Sequence, residues 1–222
     1  MKVAVLGTGS VGQFIASKLV KLGHDVMMGS RTANNTKALA WRSAEGADAL
    51  IGNFNDAATY AEVIFLCVKG EHALTALQTI ASVNLAEKTL IDVTNPMAPG
   101  STEIFHLLPE LTNQNSLGEE IQKTFKDLKV VKSLNTVWGG LMADPRQLNN
   151  GDHSVFMSSN WDDAKLIVKD ILIQFGWLEE NIIDLGDIST ARGTESYIHL
   201  WVKIRLMNGL NTNKFNIKLI RN

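Results

Sequence analysis

A doubly wound α/β fold, one parallel sheet with helices on both faces, follows from three features of this chain. A glycine loop, Gly7-Thr8-Gly9-Ser10-Val11-Gly12, stands between an apolar run and an amphipathic stretch. Short β-branched runs then alternate with helical patterns as far as Leu185. The second of these runs ends in Ser30-Arg31-Thr32, with no acid. Together they predict an NAD(P)-binding Rossmann fold over residues 1–188, with residues 189–222 as a C-terminal helix and tail that pack on it and reach a dimer interface.

The elements follow in order. Lys2 to Leu6 is a buried parallel strand, and Gln13 to Leu22 a helix with Phe14, Ile15, Leu19 and Leu22 on its apolar side. Gly23-His24 ends that helix, and Asp25 to Gly29 is the second strand. Ala33 to Ala44 reads as a helix closed by Gly46, Ala49-Leu50-Ile51 as a short strand, and Asn55 to Tyr60 as a helical turn. Glu62 to Val68 is the clearest strand after the first; a helix from Glu71 to Ser82 and a strand from Thr89 to Thr94 succeed it. Pro96, Pro99 and Gly100 break the pattern, and Asn113 to Ser116 looks like loop. Leu117 to Phe125 is helical, Lys129 to Asn135 and His153 to Met157 are strands, Asp162 to Phe175 is a helix and Ile182 to Leu185 a last strand. Ser189 to Leu210 reads as one long helix, with Tyr197, Leu200, Trp201, Ile204, Met207 and Leu210 on one apolar face. That face packs on its own domain, or also walls a ligand and meets a second copy.

Each glycine of the loop has a physical task. Gly7 permits the turn out of the strand, Gly9 lets backbone approach a pyrophosphate, and Gly12 lets the helix pack close on the strand. The helix N-terminus, with Thr8, Ser10 and Val11 beside it, offers free N–H groups and a partial positive charge to phosphate. An acid at the end of the second strand would accept from the 2′-hydroxyl of NAD; Ser30, Arg31 and Thr32 stand there. A guanidinium clamps a 2′-phosphate through two charge-assisted bonds, and the hydroxyls can donate to it. The expected cofactor is therefore NADP(H).

In an open parallel sheet, ligands lie beyond the carboxyl ends of the strands. Val68 and Lys69 should follow the adenosine-to-nicotinamide path, and Asn95 and Pro96 should orient nicotinamide. Asn135, Thr136 and Trp138 are candidates for the second substrate. His72 opens a helix near the site, where donation to a phosphate or substrate competes with a capping or surface role. His24, His106, His153 and His199 show no partner spacing, and Cys67 reads as a small core residue.

Composition and missing motifs narrow the function. The 222 residues carry a formal net charge of −2, which argues against nucleic acid or an anionic membrane as partner. A single cysteine excludes an intrachain disulfide and suits a cytoplasmic setting. The opening strand reads as core rather than leader, and no apolar run approaches the ~20 residues of a membrane span. No HExxH, clustered metal ligands or nucleophile elbow is present, so no metal site is expected. Tyr60 and Tyr197 both lack a lysine four residues on, so the short-chain alcohol dehydrogenase pattern is missing as well. Hydride transfer between two redox rings asks only for orientation and a dry pocket. The expected partner is thus a small-molecule acceptor. A non-catalytic NADP(H)-binding redox sensor or module, and NADPH reduction of a small carbonyl or imine, are the alternatives.

GTGSVG at Gly7 to Gly12, GHDVMMGSR at Gly23 to Arg31, EVIFLCV at Glu62 to Val68 with EHA after it, and DVTNP at Asp92 to Pro96 form a specific set. With ARGTES at Ala191 to Ser196 and the apolar helix behind it, the chain resembles the coenzyme F420-dependent NADP oxidoreductases. The N-terminal part is also similar to the NADPH-binding domain of the Steap ferric reductases. The resemblance implies a homodimer, NADP(H) held by Ser30, Arg31 and Thr32, and a deazaflavin (F420) or flavin as second substrate, with no obligatory acid or base. It also departs from the family: Val68-Lys69-Gly70 stands where Pro and an aromatic residue are usual, and Asn135-Thr136-Val137-Trp138 differs from the archaeal pattern. Adenine-side recognition carries over on the matched residues; deazaflavin recognition does not.

Overall fold

The computed structural model describes residues 1–46, 49–100, 107–108, 111, 114–207 and 214–220. Asn113, His106 and Leu210, each assigned a role from sequence, lie outside them.

Eight strands form one sheet in the order β3-β2-β1-β4-β5-β6-β7-β8. They are β1 (Lys2–Leu6), β2 (Asp25–Ser30), β3 (Ala49–Asn53), β4 (Val63–Leu66), β5 (Thr89–Asp92), β6 (Lys129–Ser133), β7 (Val155–Ser158) and β8 (Ile182–Asp184). The first six are parallel; β7 pairs antiparallel with β6, and β8 pairs parallel with β7. The expected doubly wound sheet is present, with a reversed two-strand extension that its strand patterns do not announce. The connection explains the reversal. After β6 the chain makes only the five-residue helix α6 (Gly139–Ala143) and two short 3-10 turns, one carrying Asn149 and Asn150 at positive φ. It lacks the crossover that a parallel return requires, and re-enters the sheet from the same edge.

The helices α1 (Ser10–Lys21), α2 (Thr36–Glu45), α3 (Phe54–Tyr60), α4 (Ala73–Gln78), α5 (Leu117–Thr124) and α7 (Asp162–Phe175) cover the two faces. Alternation along β1 sends Val3 and Val5 to one core with Ile15, Leu19, Met28, Phe65 and Phe175. Ala4 and Leu6 face the other, with Ile64, Leu66, Leu77, Leu90 and Ile121. Each fully buried Leu, Ile or Phe contributes about 1.5–3 kcal/mol, so two filled faces pin β1 and the loop that leaves it.

Four helices differ from expectation; α2, expected from Ala33, begins at Thr36, where the Asn35 side chain caps it. The helix α1 begins at Ser10, three residues before the apolar period becomes visible. The stretch expected as a helix over Glu71 to Ser82 is a 3-10 turn at Gly70–His72 and then α4, which stops at Gln78. The long C-terminal helix is two helices, α8 (Ala191–Ser196) and α9 (Ile198–Met207), separated at Tyr197. The expected apolar face is also rotated. Ile198 and Val202 are buried with Leu107, while Leu200 and Met207 are 54% and 86% exposed. Spacing alone did not separate these faces, because α9 is apolar nearly all round.

Candidate functional site

Beyond the carboxyl ends of β1, β4, β5 and β6 lies a cleft of about 310 Å3. The loop after β1 supplies Gly9, Ser10 and Val11; the loop after β4 supplies Cys67, Val68, Lys69 and Gly70. Val93, Thr94, Asn95 and Met97 come from the loop after β5, and Asn135, Val137, Trp138, Gly139 and Met142 from the segment after β6. Ile198 and Trp201 of α9 close the far wall.

The loop after β1 is built by its glycines. Gly7 adopts φ +125°, and a Cβ there would stand 2.5 Å from the Cys67 carbonyl oxygen. A Cβ on Gly12 would stand 2.2 Å from the Gly7 oxygen, so α1 rests directly on the turn. Gly9 is different: its conformation is ordinary, and a Cβ would meet nothing within 4 Å. The space in front of it is the cleft. Gly9 caps α1 without any side-chain bond, and the first turn carries no acid. The opening N–H groups of α1 therefore face that space with their partial positive charge uncontested. A dinucleotide pyrophosphate fits this cradle.

At the end of β2, Ser30 is buried while Arg31 and Thr32 are exposed. The Ser30 hydroxyl donates to the Thr32 carbonyl at 2.6 Å, which ties the turn and leaves its oxygen lone pairs free. In this arrangement Arg31 and the Thr32 hydroxyl are the donors available to a 2′-phosphate. Lys69 and His72 have side chains 77% and 64% exposed, each within 4 Å of Glu71. Lys69 lies on the cleft rim; His72 is not among the lining residues.

The loops after β5 and β6 are locked together. Asn95 Nδ2 donates to the Asn135 carbonyl at 2.8 Å, and Asn135 Nδ2 donates to Asn95 Oδ1 at 3.0 Å. Leu134, just before, is buried at φ +64°, a left-handed conformation unusual for leucine and of the kind that gathers at functional sites. Gly70 has its place against Asn95: a Cβ there would stand 2.1 Å from the Asn95 oxygen. Thr136 faces elsewhere, into a separate cavity of about 220 Å3 with Phe156, Thr194 and Tyr197. Pro96 accepts from the Leu108 N–H at 2.8 Å and does not line the cleft.

Beneath Thr94 lies a buried ion cluster that sequence reading missed. Lys132 Nζ is 2.9 Å from Asp92 Oδ2 and 2.8 Å from Glu195 Oε1, with side-chain exposures of 0%, 0% and 2%. Asp92 and Lys132 are register partners on β5 and β6. Burial alone would depress the Lys132 ammonium; the two carboxylates outweigh it and raise its pKa. Glu195 also accepts from Leu117 N and Gly118 N, capping α5. The signal was available: Asp92 and Lys132 are opposite charges placed inside apolar parallel strands.

The end of the cleft away from Gly9 is aromatic. Trp138 packs edge-on against Phe14, with ring centroids 5.8 Å apart, and its ring lies over Gly140. Trp201 stacks on Phe215 of the tail at 5.2 Å, and its indole Nε1 is buried without a hydrogen-bond partner among the described residues. No Asp, Glu, His or Tyr lines the cleft among the described residues. Burial, and then the Asp92 charge, push the Cys67 thiol far up, which makes it a poor nucleophile. Among those residues no His/Cys/Asp/Glu group is arranged for a metal, and no helix is long and apolar enough to cross a membrane.

Such a fold and cleft define a dinucleotide-dependent oxidoreductase. Residues 2–96 match the sequence profile of the family described as NADP oxidoreductase, coenzyme F420-dependent. A provisionally assigned F420-dependent NADP-reductase from Arthrobacter sp. FB24 is 40% identical, with full coverage of both chains and a TM-score of 0.89. This chain belongs to the coenzyme F420-dependent NADP oxidoreductase family and is an NADP-dependent oxidoreductase. Metalloreductase STEAP3 of Rattus norvegicus is 29% identical over 197 residues, 88% of this chain and 36% of that protein. The chain thus spans about a third of the length of the curated relatives it matches. A reductive aminase from Aspergillus terreus, solved with NADPH and ethyl levulinate, shares the fold at 16% identity and a TM-score of 0.65, over 94% of this chain and 62% of that one. The profile match ends at Pro96, so it covers the glycine loop, the turn after β2 and the loop after β4, and stops before Asn135 and Trp138.

Proposed function

We propose that this enzyme passes hydride between NADP(H) and a planar flavin-like or deazaflavin acceptor, with coenzyme F420 the family's reference acceptor. One observation carries the reading: a cleft with a phosphate cradle at one end, tryptophans at the other, and no Asp, Glu, His or Tyr in its lining among the described residues. Bound NADPH would supply the hydride. The chain's own share is threefold. The N-terminus of α1 and Gly9 hold the pyrophosphate, and Arg31 with Thr32 meets the 2′-phosphate. The Asn95–Asn135 pair fixes the floor where the nicotinamide lies. Trp138, Met142, Ile198 and Trp201 exclude water and offer flat apolar surface to a second ring. A carbonyl or imine substrate would need a proton donor at the reacting atom, and the ammonium in this lining, Lys69, stands exposed on the rim.

A second reading, an NADP(H)-binding module that serves a separate redox protein, is favoured by the match to about a third of the metalloreductases' length. We also assign the enzyme to the cytoplasm, as the lone cysteine favours. The exposed Leu200, Leu206 and Met207 edge of α9 is assigned to a homodimer.

The test is anaerobic mixing of the protein and NADPH with F420, FMN or a cyclic imine, following NADPH oxidation. Rapid turnover with F420 or FMN and none with the imine supports the reading. Tight NADPH binding without turnover on any acceptor favours the module, and turnover on the imine alone overturns the proposal.

A further inference from the structure

Thr94 has a hydroxyl whose direction is already decided. Its Oγ1 donates to Asp92 Oδ1 at 2.7 Å, and the Thr94 backbone N–H donates to the same oxygen at 2.9 Å. Asp92 cannot offer a hydrogen in return. Its other oxygen faces the Lys132 ammonium, and a carboxylate so placed is acceptor only. Lys132 in turn is held by Glu195, which is held by the N–H groups that open α5. Every member of this chain is buried. A hydroxyl has one hydrogen and two lone pairs. Thr94 lines the cleft, and with its hydrogen committed inward its hydroxyl has only lone pairs left for a ligand there.

We propose that Thr94 Oγ1 is a fixed acceptor for an amide-type N–H of the bound ring system, and that Asp92, Lys132 and Glu195 are positioning residues that hold it so. Two ligands in the proposed reaction carry such an N–H: the carboxamide of the nicotinamide, and the pyrimidinedione ring of a flavin or deazaflavin. This rests on the hydride-transfer reading above and adds a specificity rule to it. A ligand offering only acceptors opposite Thr94 is rejected, because no hydrogen is left to meet it.

The first arm is calorimetric titration of the full chain with NADP+ and with its 3-acetylpyridine analogue, which keeps the carbonyl and loses the N–H. The second arm is KM and kcat for F420 or FMN. Wild type should bind NADP+ about tenfold more tightly than the analogue. Thr94→Val should bring the two within twofold, and Thr94→Ser should restore the gap. Asp92→Asn frees the hydroxyl to rotate and should shrink the same ratio, with no further loss when combined with Thr94→Val. An unchanged ratio with an acceptor KM raised about tenfold at unchanged kcat would assign the N–H to the second ring and support the proposal through that ligand. If Thr94→Val matches wild type in both arms while hydride transfer continues, the inference is overturned and the hydride-transfer reading stands. If wild type binds neither nucleotide, both fall.

Discussion

Replacing Gly9 by valine separates binding from folding. The backbone at Gly9 has φ −73° and ψ 177°, which any residue adopts, and a Cβ there meets nothing within 4 Å. The fold should therefore lose no more than about 1 kcal/mol, the penalty of a poor helix cap. In a protein of this size that lowers Tm by about 2–4 °C. The valine methyls would fill the space that a pyrophosphate needs. Displacing the phosphates from two α1 N–H groups removes two charge-assisted hydrogen bonds, about 1.5–3 kcal/mol each. NADPH affinity should fall about 10²- to 10⁴-fold. The contrast is Gly12→Ala, whose Cβ would stand 2.2 Å from the Gly7 oxygen. There the folded state itself should suffer, by at least about 1–3 kcal/mol. Calorimetric titration with NADPH and a thermal melt of each variant decide the matter. If Gly9→Val binds within threefold of wild type, the cradle is not where the phosphates lie. If it melts as early as Gly12→Ala, the distinction between the two glycines is unsound.

Arg31→Asp should weaken NADPH binding by about 2–4 kcal/mol, since it replaces a clamp by a repelling charge; paired titrations should show NADH little affected. Trp201→Ala should leave NADPH binding unchanged and raise the acceptor KM several-fold, the worth of an aromatic contact of about 0.5–1.5 kcal/mol; steady-state kinetics at saturating NADPH would show it. The tail should release in acid. Lys218 bonds Asp152 at 2.7 Å; that bond first, and then Asn181, hold the Asp152 carboxyl below its usual range. A lowered carboxylate pKa gives stability that is complete above the unfolded value and lost as pH falls through the folded one. Protection from hydrogen exchange at the Ser154 N–H, which donates to the Ile217 carbonyl, and at the Leu219 N–H, which donates to the Ser154 hydroxyl, should be lost below about pH 4 and, in Asp152→Asn, already at neutral pH. Cys67 should stay unlabelled by a thiol reagent at pH 8 and label fully in denaturant, as mass spectrometry would read.

The glycine loop and the turn after β2 were legible as structure because they are local. Gly7, Gly9 and Gly12 act within one turn, and Ser30 to Thr32 sit where a strand ends. The half of the cleft at Trp138 and Trp201 is assembled from distant segments. Thr136 precedes Val137 and Trp138 by one and two residues yet faces another cavity, because the chain turns between β6 and α6, where Val137 N–H donates to the Leu134 carbonyl. The turn of α9 that brings Trp201 inward depends on the break at Tyr197, which no glycine or proline marks. The direction of β7 was hidden for a related reason: alternation reports which face a residue takes, never which way the strand runs. Asp92 and Lys132 stand inside strands in the sequence, and only the register between β5 and β6 makes them partners.

The reversal at β7 also divides the molecule into a working end and a quiet one. Ser159 at the end of β7 reaches the start of β6, bonding the Val130 carbonyl, and Lys129 meets Asp163 nearby. Gly186, just past β8, pairs its carbonyl with Ser159 and carries no contact for a Cβ. The turn at Asn160 therefore sits at the pole opposite the cleft, while Gly186 beside it, at φ +100°, would strain any side chain. A fluorophore or an affinity handle grafted at the Asn160 turn would report on the protein, or tether it to a surface, without shading the chemistry at the other pole.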